Sequence, residues 1–384
     1  METSSRIIHD SNAAQVVASQ HSYRPRRGLS IPAITVLDGD GRIIDEEQRR
    51  VFRYNAQSGF GADIIFGAGT NGEWNRISNR ERQRLIWIET AEIASINREV
   101  TAAGHRSVEA WVGVTAETRR ETLENVECAI EAGADAAVIA PLSIRDIGDV
   151  VSFFQRDLSD RFDHLGKWIP IFLYDNADIA ADPRIPHIKT RDVKRLSRLQ
   201  FTFGVKVSAS RKVLGNYTKG ALHFRDKGDF GIYVGNAMLI FDLFRMEDGL
   251  LGRIKEYWNR YLLHNELPVG VVAGPANVFP REWQRAWRAC FAGDDGLMQV
   301  YRSTFEQFNQ ASCFTGRGTS VSKLIACLKL ALKIEGVIES ALVATGTPSL
   351  SETEAARFRD HYLKLKDDLR SATDSTWISR RFDD

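Results

Sequence analysis

The stretch ADIIFGAGTNGEWNRISNRE, residues 62–81, shows the unit from which the chain is built. ADIIFG is a short run of strand-forming residues, and the glycines of GAGTNGE then let the backbone turn tightly. Ser78 with Glu81 opens a helix as a capping box, in which the hydroxyl accepts from a free first-turn amide and the glutamate returns the bond. The same unit recurs outward in both directions. Apolar runs stand at IPAITV (31–36), ADIIFG (62–67), EAWVGV (109–114), DAAVIA (135–140), IPIFLY (169–174), FTFGVK (201–206), FGIYVG (230–235) and PVGVVAG (268–274), eight in all. Thr118 with Glu121 makes a second capping box, followed by Leu123, Val126 and Ile130 on one helix face. Strands that are nearly all apolar must be covered on both sides, as in a parallel sheet. Eight such β/α units predict an α/β fold, a closed (β/α)8 TIM barrel. An open doubly wound sheet is the alternative, but no G-x-G-x-x-G follows the first strand to support a dinucleotide site.

Three regions follow. Residues 1–27, with His9, Asp10, Ser11 and Asn12 early and Arg24, Arg26 and Arg27 late, show no sustained period and read as a flexible N-terminal arm. Residues 28–280 form the barrel. After Pro280 the strand signal stops, and residues 281–384 are expected to be a C-terminal helical appendage, with helical patterns over 281–310, 320–345 and 351–370. The last begins at Ser351 and carries Ala355, Phe358, Tyr362 and Leu365 at helical spacing.

With 51 Lys+Arg against 50 Asp+Glu, the net charge of +1 gives no field to concentrate nucleic acid or anionic lipid. No nucleic-acid partner is expected. Hydrophobic residues at 43% and charged residues at 26% are ordinary globular usage. No apolar run approaches the roughly 18 residues of a membrane span, and the N-terminus lacks the apolar core of a signal peptide. The expectation is a soluble, cytoplasmic protein with no membrane partner. Cys128, Cys290, Cys313 and Cys327 are widely spaced, with no C-x-x-C and no histidine at zinc-finger distance, so neither a disulfide framework nor a structural metal is expected.

In a barrel the chemistry sits where strands end and βα loops begin. After the second strand, the Gly67–Glu73 loop exposes amide hydrogens beside the Thr70 hydroxyl and the Asn71 amide, as an anion cradle would, though it also suits a plain turn. The fifth strand ends in Tyr174, placed either to pass protons at the barrel mouth or simply to bridge core and water. The sixth carries Lys206 in its apolar part. A buried ammonium must be paired or have its pKa lowered from about 10.4. Lys206 is therefore either an ion-paired strand-end lysine or an amine nucleophile toward ketones.

Taken together, G-T-N-G-E after strand two, tyrosine ending strand five, G-V-K in strand six, Gly235 ending strand seven and Gly274–Pro280 after strand eight resemble, in order and spacing, the dihydrodipicolinate synthase and N-acetylneuraminate lyase family. The resemblance covers roughly residues 30–370 and extends to Lys333–Val337 and Pro348–Glu354 near the C-terminus. It implies a class I lyase, an aldolase or dehydratase, with neither metal nor organic cofactor. It implies that Lys206 forms a Schiff base with a 2-oxo acid, such as a 3-deoxy-2-oxo sugar acid, and that Tyr174 shuttles protons. Thr70 and Asn71 would hold the carboxylate, and Gly235 would leave room for substrate. The family usually forms homo-oligomers, which implies a tetramer or dimer.

Departures accompany the likeness. The family's Y-N-x-P is Tyr174-Asp175-Asn176-Ala177, and the arginine that biosynthetic synthases place five residues after the tyrosine is Ile179. The second threonine of G-T-T-G-E is Asn71, P-Y-Y is Pro141-Leu142-Ser143, K-D-S is Lys206-Val207-Ser208 and G-S-D is Gly235-Asn236-Ala237. A rebuilt pocket and no lysine biosynthesis are expected. Residues 238–267 are longer than the family usually allows, with Leu250, Ile254, Trp258 and Leu262 as an apolar stripe for packing, a lid or an oligomer contact. A non-catalytic ligand-binding or regulatory barrel is the rival to the enzyme.

Overall fold

A computed structural model describes residues 23–221, 230–244, 268–316 and 319–377. Eight strands close into one barrel, each paired in parallel with the next and the eighth with the first. They are β1 (Gly28–Pro32), β2 (Ile64–Gly67), β3 (Glu109–Gly113), β4 (Ala136–Ile139), β5 (Ile171–Asn176), β6 (Thr202–Ser208), β7 (Gly231–Val234) and β8 (Gly270–Val272). Helices α1 (Asp45–Ala56), α2 (Asn79–Ala102), α3 (Arg119–Ala132), α4 (a helical run over 150–165), α5 (Thr190–Leu196), α6 (Arg211–Ala221) and the short α7 (Ile240–Leu243) alternate with the strands. The sheet is thus covered outside by helices and filled inside by side chains, which is why both faces of its strands are apolar.

Both capping boxes start helices, with one change. The Ser78 hydroxyl accepts from the Glu81 N–H, but the Glu81 carboxylate turns to the Ile43 N–H at 2.9 Å. The Thr118 hydroxyl accepts from the Glu121 N–H and donates to the Glu121 carboxylate at 3.1 Å. The hydroxyl half of each box survives because it satisfies a backbone donor that has no partner within the helix.

Pro280 opens α8 (Pro280–Ala292), followed by α9 (Asp295–Ala311), α10 (Leu324–Ile334) and α11 (Glu352–Trp377). The expected helix over 281–310 is two, because Gly293 turns left-handed (φ 69°) and the Asp294 carboxylate caps the next helix through the Leu297 N–H. Strand signal also returns after Pro280: an antiparallel hairpin, β9 (Cys313–Gly316) with β10 (Thr319–Ser322), precedes α10. Thr319-Ser320-Val321-Ser322 offers no apolar helical face and takes the extended form, and Gly336 (φ 71°) ends the helical signal well before 345. The stripe of Leu250, Ile254, Trp258 and Leu262 lies outside the described residues.

Of the expected arm, residues 1–22 lie outside the described residues, and Tyr23–Arg27 run into the N-terminal mouth of the barrel. There the Tyr23 hydroxyl donates to Glu109 at 3.0 Å, and the Arg26 carbonyl accepts from the Tyr233 hydroxyl. Above this plug the lumen is packed with aromatics, Trp111 stacked on Phe172 at 3.9 Å with Tyr233 set edge-on to both. Glycines make the room: a Cβ on Gly270 would stand 2.5 Å from the Tyr233 ring. The closed floor confines chemistry to the opposite mouth.

Candidate active site

Strands β5 and β6 lie side by side with Tyr174 in register with Lys206. The two-residue period turns both side chains into the lumen, above the aromatic floor. Lys206 is 5% exposed, and its Nζ lies 3.7 Å from the centroid of the Tyr174 ring and 4.9 Å from that of Phe66. Among the described residues no carboxylate pairs with it. Among those residues the ion-paired reading of Lys206 has no partner to rest on. Burial pulls its amine below the usual lysine range, against the opposing pull of Tyr174.

The Tyr174 hydroxyl is the hub of the site. It lies 3.0 Å from Thr70 Oγ1, accepts from Asn176 Nδ2 at 3.0 Å and accepts from Ser208 Oγ at 3.4 Å. With two donors already aimed at its lone pairs, the phenol proton is left to point at Thr70. Burial alone would raise this phenol's pKa, but the Lys206 charge and the bonds with Ser208, Thr70 and Asn176 outweigh it and hold it below the ordinary tyrosine value. The lysine and tyrosine therefore titrate as a pair.

Thr70 and Asn71 sit on the loop after β2, where their backbone N–H groups meet no acceptor among the described residues. Ala68 (φ 51°) and Glu73 (φ 56°) bracket this loop in the left-handed region, which costs of order 1–3 kcal/mol at each non-glycine residue. The buried Glu73 carboxylate offsets that strain by clamping the loop to α10 and to the segment between α10 and α11. It accepts from Lys329 Nζ at 2.6 Å, from the Ala344 N–H at 2.8 Å and from the Thr347 hydroxyl at 2.6 Å.

Gly235 lines the cavity and lies against Ser208. A Cβ there would stand 2.1 Å from Ser208 Oγ, so the glycine makes room for the serine that reaches Tyr174. Lys206, Tyr174, Thr70, Asn71 and Gly235 all line one cavity of about 260 Å³, so the five residues selected from sequence converge on one place. Asn176 and Ser208 line it too and were not selected. Each lies two residues beyond Tyr174 or Lys206 on the same strand face, a signal the period of 2 contained. Among the described residues no group of three or more His, Cys, Asp or Glu comes together as metal ligands would.

The departures find local causes. Asp175 points away from the lumen, taking the Ile188 N–H and His187 Nδ1, each at 2.9 Å. Ile179 packs against the lumen aromatics, where an arginine could not lie without a partner. Ser143 is buried, its Oγ without a hydrogen-bond partner among the described residues, so it contributes no relay to Thr70.

No protein-family model matches the chain, and no curated protein matches it in sequence. Solved structures do match in shape. Dihydrodipicolinate synthase from Bacteroides thetaiotaomicron is similar with a TM-score of 0.67 and 21% identity, over 89% of this chain and 99% of that one. A prophage protein of the dihydrodipicolinic acid synthase family from E. coli K12, solved in complex with pyruvate, has a TM-score of 0.66 and 19% identity over 88% and 98% of the two chains. The fold is that of the dihydrodipicolinate synthases. A monomeric dihydrodipicolinate synthase variant shares it as well, with a TM-score of 0.64 and 17% identity over 89% and 97%. The dihydrodipicolinate synthase fold spans the barrel and the C-terminal helices together. No helix among the described residues is long and apolar enough to cross a membrane.

Proposed function

We propose that the protein is a member of the dihydrodipicolinate synthase family and a class I lyase that holds a 2-oxo acid as an imine on Lys206. The observation that carries this is a buried lysine with no carboxylate partner among the described residues, stacked on a tyrosine whose hydroxyl is held by three hydrogen-bonding groups. The neutral amine attacks the C2 carbonyl, and the carbinolamine loses water as Tyr174 supplies a proton to the departing hydroxyl. In aldol cleavage the tyrosinate then takes the proton of the C4 hydroxyl. The C3–C4 bond breaks, its electron pair moves toward the iminium nitrogen, and an aldehyde leaves. Protonation of the enamine at C3 and hydrolysis of the imine release pyruvate and restore the amine. Condensation reverses these steps. In dehydration of a 3-deoxy acid the tyrosinate instead takes a C3 proton, and the enamine so formed expels the C4 hydroxyl, which leaves as water with the proton Tyr174 returns. The free amides of Thr70 and Asn71 bind the substrate carboxylate.

Because Ile179 offers no guanidinium to a second carboxylate, aspartate semialdehyde condensation is absent from the proposed activities. The reading includes a homo-oligomer, which a tetramer or dimer mass by light scattering would support and a monomer mass would oppose. The test of function is a panel of 3-deoxy and 3-hydroxy 2-oxo acids, with pyruvate release followed through lactate dehydrogenase and consumption of each acid followed by chromatography to register dehydration. Release from at least one supports the lyase. Imine formation without turnover of any acid supports instead the non-catalytic ligand-binding barrel, which the altered Asn71 and Ser143 favour.

A further inference from the structure

A second cavity, of about 470 Å³, lies between the loops that follow β4 and β5, and it shares no lining residue with the cavity around Lys206. The Ala181 N–H donates to the Leu142 carbonyl at 2.7 Å and ties the two loops together. Both loops turn aliphatic side chains to the space, Ile144, Ile147 and Val150 from the first, Ile185 and Ile188 from the second. Ile188 is buried, but Ile185 is 48% exposed, a large apolar side chain left to water. His187 also lines the space, and its Nδ1 lies 2.9 Å from the buried Asp175 carboxylate. Asp175 stands in β5 between Tyr174 and Asn176, whose side chains face the lumen, so this cavity adjoins the same strand from its other face.

The charged groups around this space are unequally committed. Asp149 accepts from the Ser152 N–H at 2.8 Å, Asp182 from Arg184 Nη2 at 2.8 Å, while Asp192 lies 3.4 Å from Arg191 and Arg145 lies 3.2 Å from Glu117. Lys189 Nζ has no hydrogen bond or ion pair among the described residues, and His187 Nε2 has none either. What remains for a ligand is an ammonium and an imidazole edge, which donates once the ring is protonated, beside an aliphatic wall. The ammonium suits one carboxylate and the wall suits an alkyl body, while the three aspartates oppose a second negative charge. The volume lies within the roughly 300–1,000 Å³ of small-molecule sites, which share this pattern of apolar walls with a few polar groups. We propose that this cavity is a second binding site, distinct from the Lys206 cavity, for a monocarboxylate carried on a branched aliphatic body.

No imine enters this site, so calorimetry on the full-length protein tests it whatever the chemistry at Lys206. The probes are 4-methylpentanoate, 4-methyl-1-pentanol, which lacks the charge, and acetate, which lacks the alkyl body. 4-Methylpentanoate should bind the wild type and Lys206→Arg alike. The alcohol should bind about 3-fold to 10-fold more weakly, as loss of a partly exposed charged contact implies, and acetate should give no measurable heat. Ile185→Asp replaces an exposed side chain, removes apolar wall and sets a carboxylate against the probe; it should weaken 4-methylpentanoate at least about 10-fold. Lys189→Gln should bring acid and alcohol within about 2-fold of each other, and its value stands if Ile185→Asp fails to fold by circular dichroism. No binding by the wild type, unchanged binding by folded Ile185→Asp, an alcohol that binds as tightly as the acid, or loss of binding in Lys206→Arg would overturn the site. A lower mass of Ile185→Asp than of the wild type by light scattering would assign this face to a second copy of the chain and overturn it too.

Discussion

Replacing Tyr174 by phenylalanine removes one oxygen and keeps the ring on which Lys206 stacks, so it isolates the phenol's role as proton carrier. Three hydrogen-bonding contacts end at that oxygen, at 3.0, 3.0 and 3.4 Å. Ser208 and Thr70 have hydroxyls that can rotate toward the cavity, but Asn176 Nδ2 loses its acceptor in a buried place while its Oδ1 stays on the Asp178 N–H. The stability cost should be about 1–3 kcal/mol, that of one unsatisfied buried donor, which a domain of this size withstands. The rate cost should be far larger. A positioned proton-transfer group contributes roughly 100-fold to 10,000-fold, and in the proposed mechanism it serves both carbinolamine dehydration and bond cleavage. The assay is single-turnover imine trapping beside steady-state turnover on a verified 2-oxo acid, with folding checked by urea denaturation. Both rates should fall together. A folded Tyr174→Phe protein that traps and turns over at the wild-type rate would refute the role given to the phenol.

Lys329→Met leaves Glu73 buried without its cation, so urea denaturation should show a loss of about 3–5 kcal/mol, and the Thr70–Asn71 loop should bind 2-oxo acids more weakly. No loss of stability would mean that this pair does not clamp the loop. Burial raises the pKa of Glu89, whose one carboxylate oxygen takes the Gly67 N–H at 3.0 Å while the other has no partner among the described residues. A carboxyl protonated in the fold but ionised in the unfolded chain makes stability fall as pH rises above the unfolded value of about 4.5. Glu89→Gln, which mimics the protonated acid, should therefore be more stable than the wild type at pH 8 and show less decline between pH 5 and pH 8; identical denaturation curves at both pH values would contradict this. Because the folded Lys206 amine lies below 10.5, the pH profile of imine trapping should have its midpoint below that value and belong to the Lys206–Tyr174 pair. A midpoint at 10.5 or above would exclude a desolvated nucleophile.

The barrel was legible because eight apolar runs separated by capped helices admit few closures, and strand ends such as Tyr174 and Gly235 then fall at its mouth. Lys206 stood out as a charge in an apolar strand, and the fold supplied what the sequence lacked, that no carboxylate among the described residues pairs with it. Ser208 and Asn176 were within reach of the two-residue period. Trp283 and Asn309 were not, since their place at the cavity depends on how α8 and α9 pack on the barrel, and nothing local in their sequence marks it. The hairpin Cys313–Ser322 was missed for the same reason: four residues per strand carry too little pattern against the helices around them. The approach of Ser208 to Gly235, a contact between β6 and the end of β7, is one that only tertiary structure discloses.

The central claim is tested most directly by incubating the full-length protein with pyruvate, reducing with borohydride and mapping the added group by peptide mass spectrometry. In the proposed mechanism desolvated Lys206 is the nucleophilic amine, so the reduced 1-carboxyethyl group should appear on Lys206 and on no other lysine. It should be absent from Lys206→Arg, whose guanidinium stays protonated and cannot attack a ketone. Modification at other lysines with Lys206 untouched, or full catalytic turnover by a folded Lys206→Arg protein, would contradict the imine at this site.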